Sequence, residues 1–129
     1  MTAPRRRRAP ERHIQAAGVK LLAACGARVW TLGTTRRRGD HPGTMQTPGL
    51  PDVIAFLPPR AGHLWRLLVW EAKAPKGRAT SEQLLFRELC QFAGVAHVLG
   101  GLDDVIGWLV REGYARADQF PHYRTEGAA

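Results

Sequence analysis

The sequence predicts one α/β domain: an α/β sandwich in which a central mixed sheet lies between helices. Three observations predict it. Apolar spacing switches along the chain in the order helix, three strands, helix, strand, helix. Two short apolar runs, residues 53–57 and 64–70, are joined by the turn-forming Pro58, Pro59, Arg60, Ala61 and Gly62, which marks them as neighbouring strands. The chain has 129 residues, 44% of them apolar, enough for one core without staples.

Residues 1–10 hold Pro4, Pro10 and four adjacent arginines, Arg5, Arg6, Arg7 and Arg8, and cannot bury a core. A disordered basic arm is expected there, either contacting phosphates or idle. The domain proper is expected over residues 11–112, followed by a tail at 113–129. Residues 11–24 read as a helix, because Ile14, Gly18, Leu21, Leu22 and Cys25 recur at helical spacing, with Gly26 as the stop. Residues 27–32 have β-branched and aromatic content and read as the first strand. Residues 33–48 are polar and rich in Gly, Pro and Thr, so they read as a loop. Gly49 permits a tight approach before Asp52, and Pro51 presets the start of the second strand.

Trp65 and Trp70, five residues apart, fall on opposite faces of the third strand, so only one is expected in the core. Thr80 is a good helix cap, with Gln83 three residues on as in a capping box. Leu85, Leu89 and Phe92 are expected to be the core stripe of that helix, which Gly94 ends. Residues 95–99 read as a short strand, and Asp103 or Asp104 opens a last helix that buries Val105, Ile106, Leu109 and Val110. Tyr114, Phe120 and Tyr123 have no docking place that the sequence specifies.

The net charge is +8, with a pI near 10.7. Such a balance favours a polyanionic partner over a fold-level role, and the clustering of arginines at 5–8 and 36–38 argues against a mere solubility device. No apolar run approaches the roughly 20 residues that span a membrane, and no apolar stretch follows the arginines as in a secretory signal. Cys25 and Cys90 lie in helix-like stretches without zinc spacing, which implies reduced thiols and a cytoplasmic protein.

The chemistry gathers between residues 48 and 76. Asp52 opens the first apolar run, and Glu71 and Lys73 close the second. Side chains alternate along a strand, so Glu71 and Lys73 share a face with Leu67 and Val69. Antiparallel pairing of the two runs brings Asp52 opposite Glu71. Two converging carboxylates repel unless a cation stands between them, and Mg²⁺ is commonly held by one or two carboxylates with waters and phosphate oxygens. Lys73 is then placed to orient a water or to neutralise charge developing on phosphorus.

Pro51-Asp52 followed by Glu71-Ala72-Lys73 resembles the PD-(D/E)xK nuclease superfamily. The fuller string Gly49-Leu50-Pro51-Asp52, Glu71-x-Lys73 and Gln83 resembles more narrowly the virus-type replication-repair nuclease (VRR-NUC) family, over residues 11–109. The resemblance implies a restriction-endonuclease-like fold and an Mg²⁺- or Mn²⁺-dependent endonuclease that hydrolyses DNA phosphodiesters. It implies metal binding by Asp52 and Glu71, with the Ala72 carbonyl and Glu11 as further ligands. It makes Lys73 catalytic and points Gln83 towards Lys73 and the metal site. For Glu11 the other reading is a first-turn acid favoured by the helix dipole, and for Gln83 it is the capping box. Arg36, Arg37, Arg38, Lys76 and Arg78 flank the motif and are expected to contact phosphates. Stand-alone domains of this family resemble Holliday-junction resolvases in shape and can be dimeric, and a dimer suits two symmetric cuts, so branched DNA such as Holliday junctions and a homodimer are expected. The alternatives are a non-catalytic nucleic-acid-binding module on the same fold, or a flap or RNA nuclease.

Overall fold

The computed structural model describes residues 11–32, 48–60, 62 and 64–121. Arg5 to Arg8, Arg36, Arg37, Arg38 and Tyr123 lie outside the described residues. Helix α1 spans Glu11–Ala24, and Gly26 turns the chain out of it at φ 87°, a conformation that residues with a Cβ resist. Strands β1 (Arg28–Thr31), β2 (Val53–Leu57) and β3 (Arg66–Ala72) follow. Helix α2 (Ser81–Phe92), strand β4 (Ala96–Gly100) and helix α3 (Leu102–Arg111) complete the order, with a 3-10 turn at Ala117–Gln119.

The sheet runs β1-β2-β3-β4. Its first two pairings are antiparallel and β3/β4 is parallel, so the sheet is mixed, as expected. A parallel neighbour requires a crossover, which α2 supplies. The chain is thus a mixed α/β protein with a four-stranded sheet flanked by helices.

Register sorts the sheet into two faces. Val53, Ala55, Leu57, Leu68, Trp70, Ala72 and Val98 share one face and form the core with Leu22 of α1 and Val105, Trp108 and Leu109 of α3. Trp30, Ile54, Val69 and His97 form a row across the other face. There α2 lies over β4, with Phe86 against the His97 ring.

Trp70 is the fully buried tryptophan, and its indole Nε1 donates to the Gly100 carbonyl at 3.0 Å. Its ring lies against Gly18, where an added Cβ would overlap the six-membered ring. Gly18 is therefore where the α1 backbone packs directly against Trp70 of the sheet. Gly18→Ala is expected to destabilise the protein by about 1–3 kcal/mol through overpacking, outweighing alanine's better helix propensity. Urea denaturation of the variant checks it.

Three expectations are corrected. The third strand is residues 66–72, not 64–70. Its ladder with β2 begins at Leu57↔Arg66, which leaves Leu64 and Trp65 outside and exposed, and pairing with β4 carries the far end to Ala72↔Gly100. The last helix starts at Leu102 on a Gly101 cap, and Asp104 acts from the third helical position by accepting the Gly101 N–H at 2.9 Å. The largest correction is α2. Leu85, Leu89 and Phe92 are 56%, 56% and 80% exposed, so they are not its core stripe. The helix carries a second stripe, Gln83, Phe86 and Cys90, and this one is turned inwards, with Cys90 buried. Gln83 anchors that side to β3, which fixes the rotation of the helix.

Tyr114 docks by stacking on Trp108 at 5.6 Å between ring centroids, and Arg66 covers Trp108 while pairing with Glu112 at 2.9 Å. Cys25 and Cys90 are free thiols. Among the described residues no helix is long and apolar enough to cross a membrane.

Candidate active site

The β2/β3 ladder ends at Val53↔Trp70, so Asp52 stands one residue further, opposite Glu71. Asp52 is fixed from both sides. Its carbonyl accepts the Leu32 N–H at 2.7 Å, and its Oδ2 accepts the Ala72 N–H at 3.0 Å. The segment leading to it is held equally firmly. Pro51 is fully buried. Gly49, at φ 89°, leaves no room for a Cβ, which would lie 2.7 Å from the Glu82 carbonyl oxygen of α2.

Glu71 is the one buried charged residue among those described, 4% exposed. Its Oε1 accepts from Gln83 Nε2 at 2.7 Å. The same Gln83 accepts the Thr80 N–H on its Oε1 at 2.9 Å, and its own N–H donates to Thr80 Oγ1 at 3.2 Å. A carboxamide has an acceptor end and a donor end, so one side chain closes the capping box and reaches the acid together. The two readings of Gln83 are therefore compatible, and its partner in the site is Glu71 rather than Lys73.

The Glu71 carboxyl is pushed up to about 8. Burial is the largest cause, followed by the Asp52 charge and a hydrogen bond between the two carboxyls. Lys73 opposes the shift, and Glu11 adds to it. Glu71 thus keeps its proton at neutral pH, beside the Asp52 carboxyl. One oxygen of each is already held by a neutral donor, the Ala72 N–H or the Gln83 amide.

Glu11 reaches the same end of the sheet from the first turn of α1. Its Oε1 lies 3.1 Å from where a Cβ on Gly77 would stand, in the turn after β3. It is close enough to act on Glu71 through its charge. Even so, among the described residues no three Asp, Glu, His or Cys side chains converge as a ligand set. The contact seen at Ala72 is through its N–H.

Lys73 is half-buried, and its backbone N–H bonds the Gly100 carbonyl at 3.0 Å. It lines an open cavity of about 520 Å³ with Ile14, Gly77, Leu99, Gly101 and Asp103. Lys76 and Arg78 are exposed on the turn beside it. This cleft was not legible in the sequence, because α1, the turn after β3 and the start of α3 meet only in the folded chain.

No family model matches this chain, and neither does any curated protein or solved structure. Its chemistry has to be read from the geometry.

The acid pair is of the donor type that a hard divalent cation takes. Two neighbouring carboxyls present oxygen acceptors to a hard cation once the Glu71 proton leaves. Asp52 and Glu71 are the side chains that would hold it, with waters completing the set.

Proposed function

We propose that this chain is an Mg²⁺- or Mn²⁺-dependent nuclease of restriction-endonuclease-like fold that hydrolyses DNA phosphodiester bonds. The observation that carries the reading is the paired Asp52 and Glu71 carboxyls at the end of β2 and β3, with Lys73 just past the end of β3. The resemblance to the VRR-NUC family over the Gly49 to Gln83 string supports it, as does the net charge of +8.

In this reading Asp52 and Glu71 would hold the cation, with the Ala72 carbonyl and, through water or directly, Glu11 as further ligands. The cation supplies an acidified water and charge neutralisation at the phosphate when bound. Gln83 keeps Glu71 in position through its amide. Lys73 positions the attacking water and offsets negative charge on the phosphoryl oxygens. The cavity beside Lys73 admits the strand next to the scissile phosphate, and Lys76, Arg78 and the arginines at 36–38 bind the flanking backbone.

Gln83 gives a test that separates its two jobs. Gln83→Ala and Thr80→Ala both remove the capping box and are each expected to cost about 1 kcal/mol of stability. Only Gln83→Ala frees Glu71, and it is expected to weaken Mn²⁺ binding about tenfold or more, as measured by calorimetry.

The substrate reading is branched DNA, the four-way junction foremost. Cleavage of a four-way junction, a flap, a duplex, a single strand and an RNA duplex, each with Mg²⁺ and with Mn²⁺, tests it. Junction cleavage above the others is expected. The second reading, a binding module without turnover, draws on the absence of a three-acid ligand set among the described residues. It requires binding of these substrates with no metal-dependent product.

A further inference from the structure

We infer that the open part of the outer sheet face, where Arg28 and Trp30 of β1 meet Phe56 of β2, is a stacking platform for unpaired nucleotides of a nucleic-acid strand. The register pairs Arg28 with Phe56 and Trp30 with Ile54, so these side chains share one face. It is the face away from the core, and α2 covers it only towards β4. An uncovered face of an antiparallel pair usually carries polar side chains. Here it carries two rings. Trp30 is 53% exposed, Phe56 is 36% exposed, and they meet edge-on at 5.8 Å between centroids. In an edge-on pair only one ring uses a flat face for the contact, so flat aromatic surface stays open to a further ring. A third exposed ring, Trp65, stands just before β3, two residues from Leu67, the register partner of Phe56.

The charges select the occupant. Arg28 is exposed and forms no ion pair among the described residues. Strands β1 and β2 contain no acid, and the acids of α2, Glu82 and Glu88, are on the helix over β4, the opposite edge of the sheet. Flat aromatic surface beside an unneutralised guanidinium matches the two parts of a nucleotide, a base that stacks and a phosphate that pairs. A second copy would instead set each Arg28 against a chain of charge +8. A duplex keeps its bases stacked inside, so the platform takes bases that have left the stack, as at a strand end or a branch point.

The platform continues into the acid pair. Alternation carries the row Phe56 and Ile54 on to Asp52, whose carbonyl still accepts the Leu32 N–H, and the row Leu67 and Val69 on to Glu71. Phe56 lies four positions along the chain from Asp52, roughly 13 Å of extended strand. A strand stacked on the rings thus has its backbone within a few nucleotides of the two carboxyls. The inference deepens the nuclease reading and rests on it for the use made of the bound strand. Binding is measured without metal, so either can fail alone.

Fluorescence anisotropy of a labelled oligothymidylate, and of a duplex of equal length, titrated with the full chain in EDTA tests it. The wild type is expected to bind the single strand more tightly than the duplex. Trp30→Ala and Phe56→Ala are each expected to weaken single-strand binding about tenfold, with duplex binding and salt dependence unchanged, whereas Trp30→Phe keeps most of the affinity. Arg28→Ala is expected to lower the slope of log affinity against log salt by about one. Melting temperatures check that each variant is folded. Single-strand affinity absent in the wild type, or unchanged in both ring variants, overturns the proposal. So does a loss shared equally by single strand and duplex, or a dimer in sedimentation that Trp30→Ala dissociates, which would give the face to a second copy. Ring-dependent binding with no metal-dependent product would uphold the platform and remove the nuclease reading.

Discussion

Asp52→Asn and Lys73→Ala are each expected to lower the metal-dependent cleavage rate at least a hundredfold, about 3 kcal/mol of transition-state stabilisation, with the fold intact. Both substitutions are mild for the structure. An asparagine carbonyl can still accept the Ala72 N–H that anchors Asp52 Oδ2, so the end of the ladder keeps its bond. It loses the negative charge that a cation needs. Lys73 contributes its backbone N–H to the Gly100 carbonyl, which alanine retains, while its half-buried side chain is the part facing the cleft. The expected pattern is loss of turnover with substrate binding preserved. Wild-type turnover in either variant would remove these residues from the mechanism.

The second large effect is on stability. The folded chain holds a proton on Glu71 up to about pH 8, whereas an unfolded glutamate releases it near 4.5. A carboxyl with a raised folded pKa stabilises the fold fully below the unfolded value and loses that contribution as pH climbs through the folded one. His97 acts in the opposite direction. Burial and the Arg87 charge hold it down to about 4 against an ordinary 6.5, so its contribution is complete above 6.5 and is lost as pH falls towards 4. Between pH 4.5 and 6.5 the two slopes oppose each other. Above 6.5 only Glu71 acts, and stability is expected to fall by up to about 1.4 kcal/mol per pH unit as far as pH 8. Thermal melts should be nearly level from pH 5 to 6.5 and then drop by several degrees by pH 8. Glu71→Gln should remove the drop, and millimolar Mn²⁺ should reverse it in the wild type only. A wild-type melting temperature that rises from pH 6.5 to 8 without metal would contradict the buried acid pair.

Much of this site was legible because strand geometry is strict. The pairing that brings Asp52 opposite Glu71 follows from two short runs and a turn. Glu11 was legible only through resemblance, since nothing local brings the first turn of α1 to the turn after β3. The dual role of Gln83 was half legible: the box is a sequence pattern, whereas its reach to Glu71 depends on how α2 sits. The rotation of α2 was not legible. The helix has apolar residues on more than one side, and the sequence cannot say which stripe meets the sheet until the register of β3 and β4 places Glu71 and His97 beneath it. The stripe that looked like core is exposed.

Calorimetric titration of Mn²⁺ into the wild type at pH 7, repeated in buffers of different ionisation enthalpy, tests the central claim most directly. One saturable site per chain is expected, releasing close to one proton as the cation replaces the proton on Glu71. Greatly weakened uptake is expected for both Glu71→Gln and Asp52→Asn. No saturable uptake by the wild type, or uptake unchanged in both variants, would contradict it.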